Sequence, residues 1–203
     1  KSNPESMEET MTWTKHKVTL AFQIVLLCVG VPAASTQPLM SPEVILTDVG
    51  AYGEYPSVVF NPLTNQYLVV WSEGSQGLRG RLVGPGWTQG DVFKITGAYL
   101  SDGAPRVALD TSRMRYLVVW SRGGDGGHMY GRFLTSSGPS ADLAEFIVCP
   151  SVPVYGGEHS VAYSTTQDEF LVVWVTRHTT PSTYFATVGR RVRADGGGFP
   201  ATT

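Results

Sequence analysis

Tyr67-Leu68-Val69-Val70-Trp71, Tyr116-Leu117-Val118-Val119-Trp120 and Phe170-Leu171-Val172-Val173-Trp174 are one phrase written three times. Each follows an apolar run at the same distance: Val58-Val59-Phe60, Val107-Ala108-Leu109 and Val161-Ala162-Tyr163. Each is followed by a Gly-Arg pair. The tryptophans are 49 and then 54 residues apart, a period that marks a repeat architecture before any other feature is weighed.

Working outward, each repeat divides into four candidate strands. The first is the apolar run after Pro56, Pro105 or His159. A turn follows, made of Asn61-Pro62-Leu63-Thr64-Asn65, Asp110-Thr111-Ser112-Arg113 or Ser164-Thr165-Thr166-Gln167-Asp168, residue types whose side chains accept hydrogen bonds from nearby backbone. The repeated phrase is the second strand. It is apolar at successive positions rather than alternating, so both faces of its sheet are expected to be covered. Gly80-Arg81-Leu82, Gly131-Arg132-Phe133 and Gly189-Arg190-Arg191-Val192 mark the third strand. Val92-Phe93-Lys94-Ile95 and Glu145-Phe146-Ile147-Val148 mark the fourth.

Four short strands per repeat of about 50 residues, covered on both faces, match an all-β, β-propeller-like array of about three four-stranded blades. The blades fall near 56–95, 105–148 and 159–203. Glu43-Val44-Ile45-Leu46 aligns with strand four, and residues 43–46 are expected to complete the last blade. Closed propellers have four to eight blades, so two accounts stay open. The chain is a piece of a longer propeller, favoured by the missing initial Met and a stop inside the third repeat, or two chains form a six-bladed ring.

The residues ahead of the repeats read differently. Lys15, His16 and Lys17 precede an apolar stretch from Val18 to Val31 and the small-residue run Pro32-Ala33-Ala34-Ser35, the order of a secretory signal peptide. The apolar stretch is shorter than a membrane span needs. The expected organisation is an upstream segment at 1–10, a signal peptide at 11–36 and a repeat domain at 37–203. Lys1, Lys15 and Lys17 account for three of the 15 basic residues, and Glu5, Glu8 and Glu9 for three of the 17 acidic ones. The charges of the repeat domain therefore nearly balance, with no basic footprint for nucleic acid and no membrane contact beyond the signal peptide. Lys94 is the one lysine after position 17; the arginines suit fixed hydrogen-bonding roles. Cys149, left alone once Cys28 is removed with the signal, is expected to be buried.

The chain is similar to a class of bacterial secreted β-propeller-like repeat proteins, written Pro-x-Val-x-Tyr, Tyr-Leu-Val-Val-Trp, Gly-Arg-Leu, over about Val44 to Asp195. The resemblance implies a propeller fold and an extracellular or cell-surface location. It implies no shared catalytic motif.

Motifs for nucleotide and metal chemistry are missing from the sequence, and no cofactor is expected. Gly123-Gly124-Asp125-Gly126-Gly127 offers one carboxylate and reads as a hairpin tip. Asp102, Glu158 and Glu54, read as loop residues ahead of strand one, are the carboxylates that a glycoside-cleaving enzyme would use; solvated loop acids are the plainer account. His128, His159 and His178 have no nucleophile at triad spacing. A tyrosine stands ahead of strand one in each repeat: Tyr52, Tyr99 and Tyr155. On one rim these form a platform for sugar faces or a peptide, or else pack between blades. Trp87, in the turn Gly84-Pro85-Gly86-Trp87, has no counterpart and is a contact or an edge plug. Arg81, Arg132 and Arg190, once per repeat, are expected to bond neighbouring carbonyls or carboxylates rather than a ligand. The expected function is a binding module for carbohydrate or a surface protein. The alternatives are a glycoside hydrolase or lyase using acidic rim residues, and a structural protein that works by surface assembly.

Overall fold

In a computed structural model, the described residues are 40–97, 102–123, 127–140, 143–149, 154–178 and 183–197. The upstream segment and the signal peptide at 11–36 lie outside them. The chain divides into the compact units Lys1–Pro42 and Glu43–Thr203, and all described strands belong to the second. They form three antiparallel sheets, each a meander in chain order. Sheet one holds β1 (Glu54–Asn61), β2 (Gln66–Ser72), β3 (Leu78–Val83) and β4 (Phe93–Lys94). Sheet two holds β5 (Asp102–Asp110), β6 (Arg115–Arg122), β7 (His128–Thr135) and β8 (Phe146–Cys149). Sheet three holds β9 (Val154–Ser164), β10 (Glu169–His178) and β11 (Tyr184–Arg193). The repeated phrase is the second strand of each sheet, as its residues require.

The turn between the first two strands is built alike each time. Asn61 Oδ1 accepts from the amides of Leu63 (3.1 Å) and Thr64 (3.4 Å), and Asp110 Oδ1 from those of Ser112 (2.8 Å) and Arg113 (3.1 Å). Ser164 Oγ accepts from Gln167 N at 3.2 Å. Asn65, Met114 and Asp168 then take φ near +50°, the left-handed step that returns the chain into the second strand.

The double-faced phrase packs two sheets at once. Successive strand residues point to opposite faces. Tyr116, Val118 and Trp120 of β6 therefore meet Leu68, Val70 and Leu78 of sheet one, while Leu117 and Val119 meet Phe170, Val172 and Trp174 of sheet three. The same relation holds at both joints. The Leu/Val face of one sheet packs on the aromatic/Val/Trp face of the next, and Cys149 is buried in the second joint. The first strands also meet, with Val107 N donating to Ser57 Oγ at 3.3 Å.

The Gly-Arg pair is structural. A Cβ on Gly80 would lie 2.6 Å from the Phe93 ring, and one on Gly131 2.8 Å from the Phe146 ring, so glycine leaves room for the ring of its cross-strand partner to lie over the third strand. Gly131→Ala is expected to lose about 1–3 kcal/mol by overpacking, read from the urea midpoint. The arginines stitch sheets together. Arg132 Nη1 donates to the carbonyl of Ile95 at the end of sheet one, and Arg190 Nη1 to that of Val148 in β8. Arg81 instead bonds Gln89 and Asp48.

Two expectations are corrected. The first strands begin at Glu54, Asp102 and Val154, ahead of Pro56, Pro105 and His159, and their ladders shift register on the way. Proline has no N–H for the ladder, so β1 and β5 bulge near Pro56 and Pro105 and then resume pairing, with Tyr55 and Ala104 at φ +52° and +50°; β9 shifts register ahead of His159 without a proline. Residues 43–46 form no strand and do not pair with β11, which is the edge of its three-stranded sheet. They lie beside sheet one, where Gln89 Nε2 donates to Ile45 O at 3.1 Å.

Candidate functional site

Tyr52 stands at the wall of an open depression of about 610 Å3, formed by the turn 48–51 and the short 3-10 turn Gly74–Gln76. The first turn closes through Ala51 N donating to Asp48 O at 3.0 Å. The second ends at Gly77, whose φ is +80° and where a Cβ would lie 2.0 Å from the Gly97 carbonyl; no other residue fits. The Tyr52 ring is exposed, and its hydroxyl donates to Glu54 Oε1 at 3.0 Å. That bond and the Glu54 charge raise the phenol's pKa. Arginines of β3 hold the acids of the depression: Arg79 Nε meets Glu73 Oε2 at 2.8 Å, and Arg81 Nη2 meets Asp48 Oδ1 at 2.9 Å. An aromatic face beside fixed polar groups suits a hydroxylated ligand better than an apolar one.

Trp87 lines a different hollow. Gly86 and Trp87 both take φ +64°, and Thr88 closes the turn through Oγ1 to Pro85 O at 2.9 Å. The half-exposed indole forms one end of an apolar groove of about 600 Å3 on the outer face of sheet one, with Leu46, Val58, Tyr67, Val69 and Val83. A third hollow, of about 490 Å3, lies between sheets two and three and is lined by Arg115, Arg190, Arg191 and Arg193. These cations are engaged, although the buried Nε and Nη2 of Arg115 have no hydrogen-bond partner. Arg190 bonds Val148 O, Arg193 pairs with Asp195, Arg191 lies 3.6 Å from Glu169, and Arg115 lies 4.6 Å over the Phe133 ring. This hollow is a seam between sheets.

The four predicted contact residues are therefore not gathered into one site. Tyr52 and Trp87 line separate hollows with no residue in common. Tyr99 lies outside the described residues. Tyr155 is a strand residue of β9, not a loop residue, and its side chain lies outside what is described. The three carboxylates read as loop residues also belong to strands: Glu54 opens β1, Asp102 opens β5, and Glu158 lies in β9. Asp102 is buried on the guanidinium of Arg122, which also bonds Glu145 at 3.0 Å. Burial works against the charge on Arg122, but its hydrogen bonds to Asp102 and Glu145 outweigh this and raise its pKa. Its guanidinium lies 4.2 Å over the Tyr130 ring. That network is the main feature missed from the sequence. Its signal was a departure from the repeat: two residues past the tryptophan stand Glu73, Arg122 and Thr176.

Of the histidines, His128 opens β7 beside Tyr130 (6.4 Å between ring centroids) and His178 ends β10. His159 is buried, with backbone at Val119 and Ala104 near its ring but no well-aligned hydrogen bond to either nitrogen. Burial and the nearby charge of Arg106 lower its pKa to about 4, which backbone at Val119 and Ala104 offsets only in part. Among the described residues no group of three or more His, Cys, Asp or Glu side chains could hold a metal, and no helix is long and apolar enough to cross a membrane. The glycine tip is only partly within the described residues. No protein-family model matches this chain, and no curated protein matches it.

Proposed function

We propose that the chain is a secreted or cell-surface module of β-propeller type that binds a ligand at the Tyr52 depression, with carbohydrate as the class of ligand. The observation that carries this is the exposed Tyr52 ring, its hydroxyl fixed by Glu54, beside acids that arginines hold in place. Such a surface offers a face for stacking on a sugar and fixed acceptors for its hydroxyls. The propeller arrangement is supported by the two equivalent joints and by the first strands meeting in chain order. The resemblance to bacterial secreted repeat proteins supports the location.

A glycan array with the purified chain and Tyr52→Ala tests the reading. Selective binding without cleavage is expected, weakened about tenfold by Tyr52→Ala, the equivalent of one aromatic contact. Equal binding by the variant removes Tyr52 from the site. Bond cleavage turns the reading toward a glycoside-cleaving enzyme, and a blank array turns it toward a surface protein as ligand.

A further inference from the structure

The two faces at the ends of the stack are the two halves of a joint that the chain already makes twice. At both internal joints, a Leu/Val face meets an aromatic/Val/Trp face. Sheet one presents the second kind of face outward, and sheet three the first kind. At three repeat positions the residue is buried inside and exposed at an end, whereas Trp71 stays as buried as Trp120 and Trp174. Tyr67 is 48% exposed, against 0% for Tyr116 and Phe170. Val58 is 59% exposed and its equivalent Val107 8%; Leu171 is 49% exposed, against 0% for Leu68 and Leu117. Large side chains so exposed on an otherwise apolar groove mark an interaction surface.

The edges tell the same story. Sheets one and two have four strands, whereas sheet three has three among the described residues, with β11 at its edge. Phe93 and Phe146 of the fourth strands cover Gly80 and Gly131, while the close neighbours of Gly189 in β11 all belong to β10. Residues 43–46, with the strand-four pattern, lie beside sheet one in no strand. Arg132 and Arg190 each reach the strand-four carbonyl of the preceding sheet. At Arg81 that place is taken by the 43–48 segment: Arg81 bonds Asp48 and Gln89, Gln89 bonds Ile45 O, and Leu46 lines the groove.

We propose that a second copy of this chain supplies the missing halves. The Leu171 face of one copy docks on the Tyr67–Val58 face of the other, and residues 43–46 of that other copy add as the fourth strand on β11. The contact is head-to-tail, so each copy uses both faces, and the three described sheets of two copies make six, within the four to eight of closed propellers. The strand added at β11 also covers an open sheet edge. The inference rests on the propeller-type stacking proposed above and not on the ligand at Tyr52.

Light scattering on the purified full chain tests it. The wild type is expected at twice the mass of one chain. Val58→Arg and Leu171→Arg, both at half-exposed positions that leave the internal joints intact, are each expected to be folded monomers. Mixed in equal amounts they are expected to form a 1:1 dimer, because each retains the face the other has lost. A monomeric wild type, a variant that keeps the wild-type mass, or a mixture that stays monomeric overturns the assembly, as does a different protein covering both faces. Leu117→Arg separates this from failure of the stacking: it is expected to unfold the chain, and an unchanged fold there overturns the stacking itself. Sugar binding by the monomeric variants is read separately on the array.

Discussion

Asp102→Ala is expected to destabilise the fold by about 3 kcal/mol, the lower end of the range for removing one partner of a buried ion pair, because Glu145 still bonds Arg122. Asp102 opens β5 with its side chain fully buried, and its two carboxylate oxygens accept from Nε and Nη2 of Arg122, itself almost entirely buried. The truncation leaves a buried cation without its bidentate partner, and a cation is far costlier to bury than the methyl group that replaces the acid. The second variant makes the test specific. Asp102→Ala combined with Arg122→Met removes the two buried charges, keeps a long apolar side chain against Tyr130 and leaves Glu145, a quarter exposed, to water, so it is expected to recover part of the loss. Urea midpoints of the two variants and the wild type measure this. A single variant that loses less than about 1 kcal/mol, or a double variant worse than the single, contradicts the account.

Acidification from pH 7.5 to 4.5 is expected to cost the wild type more stability than His159→Gln, by an amount approaching about 3 kcal/mol. The sign follows from the two states. In the fold, burial and then Arg106 hold His159 down to about 4 from its ordinary 6.5, so the unfolded chain takes up the proton first. Stability is therefore full above pH 6.5 and is lost as the pH falls towards 4. Glutamine cannot take the proton, so the variant lacks this component. The lowered carboxyls of Asp168 and Asp195, held chiefly by Arg113 and Arg193, act below their ordinary 3.8 and stay out of this window. Equal acid sensitivity in the two proteins would mean that His159 is not held neutral.

Much of the fold was legible because the repeat states it three times. The aromatic-Leu-Val-Val-Trp phrase has no polar position, and a strand with no polar position must be covered on both sides; β6 is. The turns were legible because Asn61, Asp110 and Ser164 are side chains that bond backbone two or three residues on. The once-per-repeat arginine was legible in kind, and Arg132 and Arg190 do bond carbonyls of the neighbouring sheet. What was not legible lay where a repeat departs from the others. Arg122 and His159 stand where other repeats carry different residues, and their roles depend on Asp102, Glu145 and Arg106, which only folding brings close. The expected platform of Tyr52, Tyr99 and Tyr155 also lay beyond periodicity. Tyr52 and Trp87 belong to turns, whose course is set by local φ values and not by the strand pattern.

The sequence by itself determined the all-β class, the strand order within each repeat and the two-sided burial of the middle strand. These follow from local spacing and from the alternation of side chains along an extended chain. Only the tertiary structure decided which copy of the phrase keeps both faces covered. Position in the stack makes that choice. Tyr67 and Leu171 occupy the same repeat positions as the buried Tyr116 and Leu117, yet they are exposed because, among the described residues, sheets one and three each have a neighbour on one side.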